Sequence, residues 1–254
     1  MWTYVRALCF AAPLVVLATA VMGTASFVAS LFDRSGRAAH HVARLWSRML
    51  LVIAGVKAEV QGLDHLSPES SYVIASNHLS LMDTPVLLAF LPLQFRFLAK
   101  RSLFRIPFIG THLRRAGHIA IPREDPRGSL KAMSEAARML KEQRVSMLVF
   151  PEGSRSSGPL RPFKEGAAYI AIKGGVPLVP VAISGTRQVL PPGSFILRPG
   201  RVRIRIGRPI LPEGMTLQDR GRLTQRLRDE IQALLGEPVG LVAGGGFEPP
   251  TFGL

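Results

Sequence analysis

The sequence predicts an α/β fold, a mixed sheet flanked by helices, preceded by an N-terminal membrane-anchoring helix or helical hairpin. Short apolar runs typical of buried strands alternate with stretches of helical periodicity. The segment from Ala7 to Phe32 has no formal charge over 26 residues, which is long enough to cross a bilayer as a helix. We expect an anchor with a basic flank over residues 1–50, the α/β domain over 51–237 and a disordered tail over 238–254.

The first element is the apolar segment, in which Pro13 and Gly23 also permit a bent, half-inserted hairpin. A cleaved secretory signal is the alternative, because Arg6 precedes the run and residues 18–20 resemble a cleavage site. The basic residues that follow the segment favour a cytoplasmic flank, and they are Arg34, Arg37, Arg44 and Arg48. The predicted location is therefore the cell inner membrane or cytoplasmic membrane, with the α/β domain facing the cytoplasm. A single cysteine, Cys9, allows no internal disulfide, which is compatible with that compartment.

The elements of the α/β domain follow in alternation. Strands are predicted over residues 72–75, 146–150, 176–183 and 201–206, and helices over residues 77–91, 126–143, 163–172 and 217–234. Ser76 and Asn77 are residue types that cap the start of a helix, and Pro126 suits a first helical position. Small residues at 166–168 allow the third of these helices to pack closely against the sheet.

The charge of the chain predicts an anionic partner. Thirty-two basic residues against 17 acidic ones give a net charge of +15. Nucleic acid is not expected, because the chain has only three Tyr and two Trp, no zinc-finger spacing and no helix-turn-helix pattern. Anionic membrane lipids are the expected partner.

In two stretches of the sequence, basic residues alternate or interleave with apolar ones. In the first, basic and apolar residues are interleaved, namely Arg96, Lys100, Arg101, Arg105, Arg114 and Arg115 with Phe95, Phe97, Phe104, Ile106, Phe108 and Ile109. This stretch indicates either a surface that rests in the membrane interface or an amphipathic helix pair packed on the sheet with its arginines in water. In the second, over 201–206, arginine alternates with apolar residues, which predicts a half-buried strand whose charges protect a sheet edge.

Polar residues with catalytic chemistry follow two of the predicted strands. His78 comes just after the first strand, and Asp83 is close enough in sequence to orient the imidazole while its other nitrogen accepts a proton. Glu152 and Arg155 follow the strand at 146–150. Ligands of open α/β sheets bind at the carboxyl ends of the strands, so we expect these residues to meet there. A covalent intermediate on the protein is not expected, because no Gly-x-Ser-x-Gly motif is present and Cys9 lies in an apolar segment.

Four blocks of residues resemble, in order, the blocks of the glycerolipid acyltransferases, and most closely those of the 1-acylglycerol-3-phosphate acyltransferases. The blocks are Asn77-His78 with Asp83, then residues 117–123 (GHIAIPR), 150–156 (FPEGSRS) and 176–181 (VPLVPV). The resemblance covers roughly residues 55–212. It implies that 51–237 is an acyltransferase domain.

The resemblance also implies the roles of individual residues. His78 is then the general base and Asp83 orients it, while Arg123, Glu152, Gly153 and Arg155 hold the phosphate of the acceptor. Lys164, shortly after the third block, is a candidate for additional positive charge in this pocket, or else a solvated lysine at a helix end. Block two departs from the family pattern because Pro122 precedes Arg123. Proline fixes a backbone angle and removes an amide donor directly before Arg123.

The function expected from these residues is acyl transfer from a thioester donor, acyl-CoA or acyl carrier protein, to the hydroxyl of 1-acylglycerol 3-phosphate, giving phosphatidic acid. Neither a metal nor another cofactor is expected. Another lysolipid acceptor, such as a lyso-ornithine lipid, and glycerol 3-phosphate stay open as acceptors. A hydrolase that activates water with His78 and Asp83, and a non-enzymatic basic protein that binds a membrane surface or nucleic acid, are the remaining alternatives.

Overall fold

The computed structural model describes residues 2–33, 35–106, 109–122, 124–156 and 158–236. Its strands are β1 (Val56–Gln61), β2 (Val73–Ser76), β3 (Phe95–Lys100), β4 (Ile119–Ile121), β5 (Ser146–Val149), β6 (Leu178–Ser184) and β7 (Gly200–Ile206). Its helices are α1 (Trp2–Val5), a π-helical segment (Arg6–Ala11), α2 (Ala12–Phe32), α3 (Arg37–Ala54), α4 (Asp83–Phe90), α5 (Ile109–Arg115), α6 (Pro126–Gln143), α7 (Gly166–Gly174), α8 (Thr186–Val189) and α9 (Arg220–Gly236). Short 3₁₀ turns occur at Leu63–His65, Arg101–Arg105 and Leu217–Asp219. Arg123 and the expected tail over 238–254 lie outside the described residues.

The strands form one mixed sheet in the order β1-β7-β6-β2-β5-β3-β4, in which β6 and β7 are antiparallel and the other neighbours are parallel. The predicted mixed α/β fold is therefore confirmed. Strands β2, β5 and β6 run in the same direction and are adjacent, so their carboxyl ends lie side by side at the centre of one edge. We call this the carboxyl edge of the sheet.

Each face of the sheet is covered by helices. Successive side chains of a strand point to opposite faces, so Ile74 of β2 packs on the side of α3 and α4, while Val73 and Ala75 pack on the side of α6, α7 and α9. Both apolar clusters contain residues that are fully buried. The central strands are thus covered on both sides and hold their carboxyl ends rigidly, which is the setting that a catalytic site on this edge requires.

The prediction that the arginines of residues 201–206 protect a sheet edge is wrong. Strand β7 lies inside the sheet, between β6 and β1. Arg203 Nε donates to Glu59 Oε2 of β1 at 3.0 Å, and the largely buried Arg205 donates to the Leu234 carbonyl of α9 at 2.7 Å. Strand β1 was not predicted, although apolar and polar residues alternate strictly from Val56 to Gln61, which is the pattern of a half-buried strand.

The N-terminal apolar segment is helical, as predicted. Residues Arg6–Phe32 form a 27-residue helix with an 18-residue stretch of mean hydropathy 2.0, so by length and composition it could cross a membrane. The helix continues through Pro13 and Gly23 and forms its hairpin with α3, not within itself. Arg6 Nη2 donates to the Ile53 carbonyl at 2.8 Å, and Trp46 Nε1 donates to Thr19 Oγ1 at 3.1 Å, so the two helices run antiparallel.

The first part of the interleaved stretch, after residue 95, is neither a surface in the membrane interface nor a helix pair. The prediction for this part was wrong. Residues Phe95–Lys100 form β3, where Phe95 is fully buried and Arg96 is only 1% exposed. Burial lowers the pKa of the Arg96 guanidinium to about 10, and its Nη2 donates to the Ser35 carbonyl at 2.6 Å. Arg96 therefore joins β3 to the connection between α2 and α3 instead of facing water.

Candidate active site

The carboxyl edge brings together residues that are far apart in the sequence. His78 follows β2, Glu152 follows β5 and Thr186 follows β6. These strands are neighbours in the sheet, so the three connections lie against one another. The prediction that the first and third blocks meet at this edge is confirmed by the hydrogen bonds between them.

His78 and Asp83 form a hydrogen-bonded pair. The His78 Nδ1 lies 2.7 Å from Asp83 Oδ2, and the same oxygen accepts the backbone N–H groups of Leu79 at 2.6 Å and Ser80 at 2.9 Å. The Asp83 side chain is fully buried, while that of His78 is 17% exposed. A carboxylate on Nδ1 favours the tautomer with its proton on that nitrogen, which leaves the Nε2 lone pair to accept a proton.

The helix after this motif starts later than predicted. Helix α4 begins at Asp83 and not near Asn77, so Ser76 and Asn77 do not cap it. Instead the Asn77 amide exchanges two hydrogen bonds with the backbone of Ile183 in β6, at 2.8 and 2.9 Å. Residues 77–82 therefore form a loop that wraps around the carboxylate at the first position of the helix. This explains how a spacing of five positions brings the imidazole onto the carboxylate.

The imidazole ring also has an aromatic neighbour. The Phe150 ring stacks on the His78 ring, with 4.0 Å between the ring centroids and 17° between the planes. The hydrogen bond at Nδ1 fixes one edge of the imidazole, and the phenyl ring covers one face. The ring is therefore held against rotation by two independent contacts.

Thr186 belongs to this site and was not predicted. Its Oγ1 donates to Asp83 Oδ1 at 2.5 Å, and both side chains are fully buried. The only signal in the sequence is its position two residues after β6, at the same edge as His78. The fourth block was expected to shape the pocket, and the structure shows that the residues after it also touch the aspartate of the pair.

Glu152 connects the first and third blocks. Its Oε1 accepts the backbone N–H of His78 at 2.8 Å, and its Oε2 accepts the backbone N–H of Arg161 at 3.2 Å. The Ser156 backbone N–H in turn donates to the His78 carbonyl at 2.7 Å. Because Glu152 is buried, these two amides stabilise its charge and fix the backbone of the histidine.

The other predicted site residues provide exposed positive charge nearby. The side chains of Arg155 and Lys164 are exposed and make no hydrogen bond or ion pair with another residue that the structure describes. Gly153 has a φ of +75°, and a Cβ built there would lie 3.1 Å from Lys164 Cε, so this lysine passes close to the turn. Arg161 Nη1 donates to Ser154 Oγ at 3.0 Å and adds a further cation that was not predicted. Arg123 falls outside the described residues.

The described residues contain no cluster of three His, Cys, Asp or Glu side chains that converge as metal ligands. The contact between Asp83 and the His78 imidazole supports proton transfer at this edge.

Comparison with known proteins identifies a family. A family model described as Acyltransferase matches residues 57–184, about half of the chain. This range contains the site residues described above except Thr186, which lies two positions beyond its end. The resemblance to glycerolipid acyltransferases that the four blocks predicted is confirmed.

Individual proteins give the same picture. The chain is 37% identical over 217 residues to a chloroplastic 1-acyl-sn-glycerol-3-phosphate acyltransferase of Brassica napus, covering 84% of this chain and 60% of that relative. It is 32% identical to the alpha form of this enzyme from Homo sapiens, covering 77% and 70% of the two chains. A crystal structure of the 1-acyl-sn-glycerophosphate (LPA) acyltransferase PlsC from Thermotoga maritima superposes with a TM-score of 0.76 at 26% identity, covering 93% of this chain and 99% of that one.

Proposed function

This chain belongs to the Acyltransferase family, and we propose that it is a membrane-associated O-acyltransferase that acylates the free hydroxyl of 1-acylglycerol 3-phosphate. The product is phosphatidic acid, in phospholipid biosynthesis. The observation that carries the proposal is the contact between His78 and Asp83 at the carboxyl edge. The similar proteins of Brassica napus, Homo sapiens and Thermotoga maritima are named for this acceptor, which supports the substrate class.

The proposed reaction is a direct transfer. His78 Nε2 accepts the proton of the acceptor hydroxyl, and the hydroxyl oxygen attacks the thioester carbonyl of the donor. The tetrahedral intermediate collapses with cleavage of the carbon–sulfur bond, and the thiolate that leaves takes the proton from His78. Asp83 holds the imidazole in the productive tautomer and stabilises its positive charge between these two proton transfers. The scheme requires neither a metal nor a cofactor, and its co-substrate is an acyl-CoA or acyl carrier protein.

The acceptor phosphate is assigned to the cations beside the third block. Arg155 and Lys164 are exposed next to Gly153, whose positive φ and missing side chain allow a backbone amide to approach an anion. An arginine fork matches a phosphate in two hydrogen bonds, so Arg155 is the main candidate, with Arg123 as a second one. Glu152 contributes by fixing the backbone of the first block, because both its oxygens accept amides. Binding the phosphate places the hydroxyl near His78 before the donor arrives.

Membrane association is proposed for the N-terminal helix. The helix Arg6–Phe32 lies along α3 and α5 through contacts at Arg6, Thr19 and Ser26. Many of its apolar side chains face outward, among them Leu8, Phe10, Val16, Leu17, Val21, Val28, Leu31 and Phe32. An apolar surface of this extent next to a chain of net charge +15 fits the interface of an anionic membrane. The site then faces the cytoplasmic side, where acyl thioesters are present.

The proposal is tested by measuring thiol release from acyl-CoA and from acyl carrier protein with purified membranes. Separate reactions contain 1-acylglycerol 3-phosphate, glycerol 3-phosphate, a lyso-ornithine lipid or no acceptor. We expect release that depends on 1-acylglycerol 3-phosphate and yields a diacyl product. His78→Ala should lower this rate by about 10²- to 10⁴-fold, the usual contribution of a general base.

The matched control is His41→Ala, which removes an exposed histidine of α3 and should keep the wild-type rate. If thiol release needs His78 but depends on a different lipid, that lipid replaces 1-acylglycerol 3-phosphate as the acceptor and the mechanism is retained. Fatty acid released without any acceptor would show a hydrolase. Equal rates for wild type and His78→Ala would contradict the proposed chemistry.

A further inference from the structure

The Asp83 carboxylate is held asymmetrically. Its Oδ2 accepts three hydrogen bonds, from the His78 imidazole and from the backbone N–H groups of Leu79 and Ser80. Its Oδ1 accepts one hydrogen bond from the residues that the structure describes, from the hydroxyl of Thr186. Both side chains are fully buried, so water does not replace a missing donor at this oxygen.

The backbone around Thr186 is fixed at this position by its neighbours. Gly185 has a φ of +89°, and a Cβ built there would lie 2.0 Å from the Arg201 carbonyl oxygen of β7. The chain therefore turns sharply at the end of β6 and directs the next side chain back over the edge. The Thr186 carbonyl accepts the backbone N–H of Leu190 at 2.9 Å, and the Leu190 carbonyl accepts the hydroxyl of Ser80 at 2.7 Å. The first block and the segment after β6 thus hold each other at two points.

We propose that Thr186 is a positioning residue of the His78–Asp83 pair, a role that rests on the proposed acyl transfer. The hydroxyl of Thr186 satisfies Asp83 Oδ1 and so fixes the rotation of the carboxylate about its Cβ–Cγ bond. Without this donor, Oδ1 is a buried acceptor with no partner, and the carboxylate gains by turning it toward the N–H groups that now bind Oδ2. Such a turn takes Oδ2 out of the plane of the imidazole and releases the ring from its orientation.

The same hydrogen bond affects the charge of the pair. The pair is more negative when the imidazole is neutral, and a hydroxyl donor stabilises the more negative form. Removing the hydroxyl therefore favours the protonated pair, and the acidic limb of the pH–rate profile moves to higher pH. Glu152, the other ionisable group bonded to this loop, accepts the backbone N–H groups of His78 and Arg161 and makes no hydrogen bond with Thr186.

The first test compares Thr186→Val, which has nearly the same shape without the hydroxyl, with Thr186→Ser, which retains it. We expect Thr186→Val to lower kcat about 10- to 100-fold with little change in KM for the acceptor, since a buried acceptor is left without a partner. The acidic limb of the Thr186→Val profile should move to higher pH. Thr186→Ser should keep both kcat and the acidic limb at their wild-type values. Equal effects of the two variants, or a limb that does not move, would overturn the proposal.

A second measurement does not depend on acyl transfer. The Nδ1 proton of His78, identified by its loss in His78→Gln, should give a downfield proton NMR signal in detergent micelles for wild type and Thr186→Ser. The signal should shift upfield or disappear in Thr186→Val, even if the chain proves to acylate a different acceptor. A signal unchanged in a folded Thr186→Val protein would overturn the positioning role. In an Asp83→Asn background, Thr186→Val should cost little further activity, and a full additional loss would contradict action through Asp83.

Discussion

At the scale of single residues, the site separates a buried carboxylate from exposed cations. Glu152 is 6% exposed and both its oxygens accept backbone amides, whereas Arg155 and Lys164 are exposed. A carboxylate beside the acceptor phosphate would repel the phosphate. The two backbone amides bound to Glu152 indicate a structural role for this carboxylate instead. We infer that Glu152 fixes the backbone of His78, while Arg155 contacts the phosphate of the acceptor.

This division predicts different kinetic effects for two substitutions. Glu152→Gln places an amide N–H₂ against a backbone N–H, leaves one donor without an acceptor and should lower kcat about 10-fold. Arg155→Ala removes a charge-assisted contact and should raise the KM for the lysolipid about 10- to 100-fold with little change in kcat. Steady-state kinetics over a range of acceptor concentrations measure both quantities. A rise in KM as the main effect of Glu152→Gln would contradict the assignment.

At the scale of elements, the loop 190–199 lies beside both the site and the N-terminal helix. Ser80 Oγ donates to the Leu190 carbonyl at 2.7 Å at one end of the loop. At the other end, Pro199 and Arg6 both lie close to Gly55. Between these ends Phe195 is 92% exposed, and the loop leaves the carboxyl edge. We expect this loop to enter the membrane interface together with the start of the helix.

Cys9 is the only cysteine of the chain, which makes a direct test simple. In a Cys9→Ser background, Phe195→Cys carrying an environment-sensitive fluorophore should show blue-shifted emission with anionic vesicles and quenching by brominated lipids. The matched control is Leu211→Cys, because Leu211 is 52% exposed and follows Ile210, which pairs with the first residue of β6 at the opposite edge. The same response at both positions would contradict insertion of this loop.

At the scale of the whole molecule, the N-terminal hairpin is joined to the sheet through three histidines around Arg96, of which His40 and His118 are buried and His112 is half-buried. His112 Nδ1 lies 2.7 Å from Ser26 Oγ of α2, and His118 Nδ1 accepts the backbone N–H of Phe97 at 2.9 Å. Burial is the main cause of a lowered pKa in all three histidines. It lowers the pKa of His40 to about 3, lowers that of His112 and holds that of His118 well below 6.5. The positive charge of Arg96 adds to the effect at all three.

These lowered values predict a loss of stability in acid. In the unfolded chain a histidine takes up a proton near its ordinary pKa of 6.5, while in the folded protein the three stay neutral below that pH. The unfolded state then binds more protons, so the free energy of unfolding should fall as the pH decreases from 6.5 toward 3. Denaturant titrations in detergent between pH 7 and pH 4 measure this slope.

One substitution isolates a single histidine of the cluster. His118→Asn keeps an acceptor for the Phe97 N–H but removes the titrating ring, so its slope should be shallower than that of wild type. His41→Asn, the same change at an exposed position, should keep the wild-type slope. A slope unchanged by His118→Asn would contradict the contribution of this residue.

The sequence by itself determined those features that depend on residues close together along the chain. An uncharged apolar run predicts the N-terminal helix, and the apolar period predicts Pro126–Gln143 and the strands on which the site is built. His78 and Asp83 are five positions apart, so one short loop brings them together, and their block could be recognised without knowledge of the fold. Glu152 could be recognised for the same reason, since it lies within a short block directly after a strand.

Only the tertiary structure decided which distant residues touch this pair. Thr186 reaches Asp83 across 103 positions, and Glu152 reaches the His78 amide across 74. The order of the strands also placed β7 inside the sheet and Arg96 inside the protein, against what their local patterns predicted. The physical reason is that local propensity sets the conformation of each segment, whereas the pairing of segments depends on the apolar area and the hydrogen bonds that the whole chain buries together.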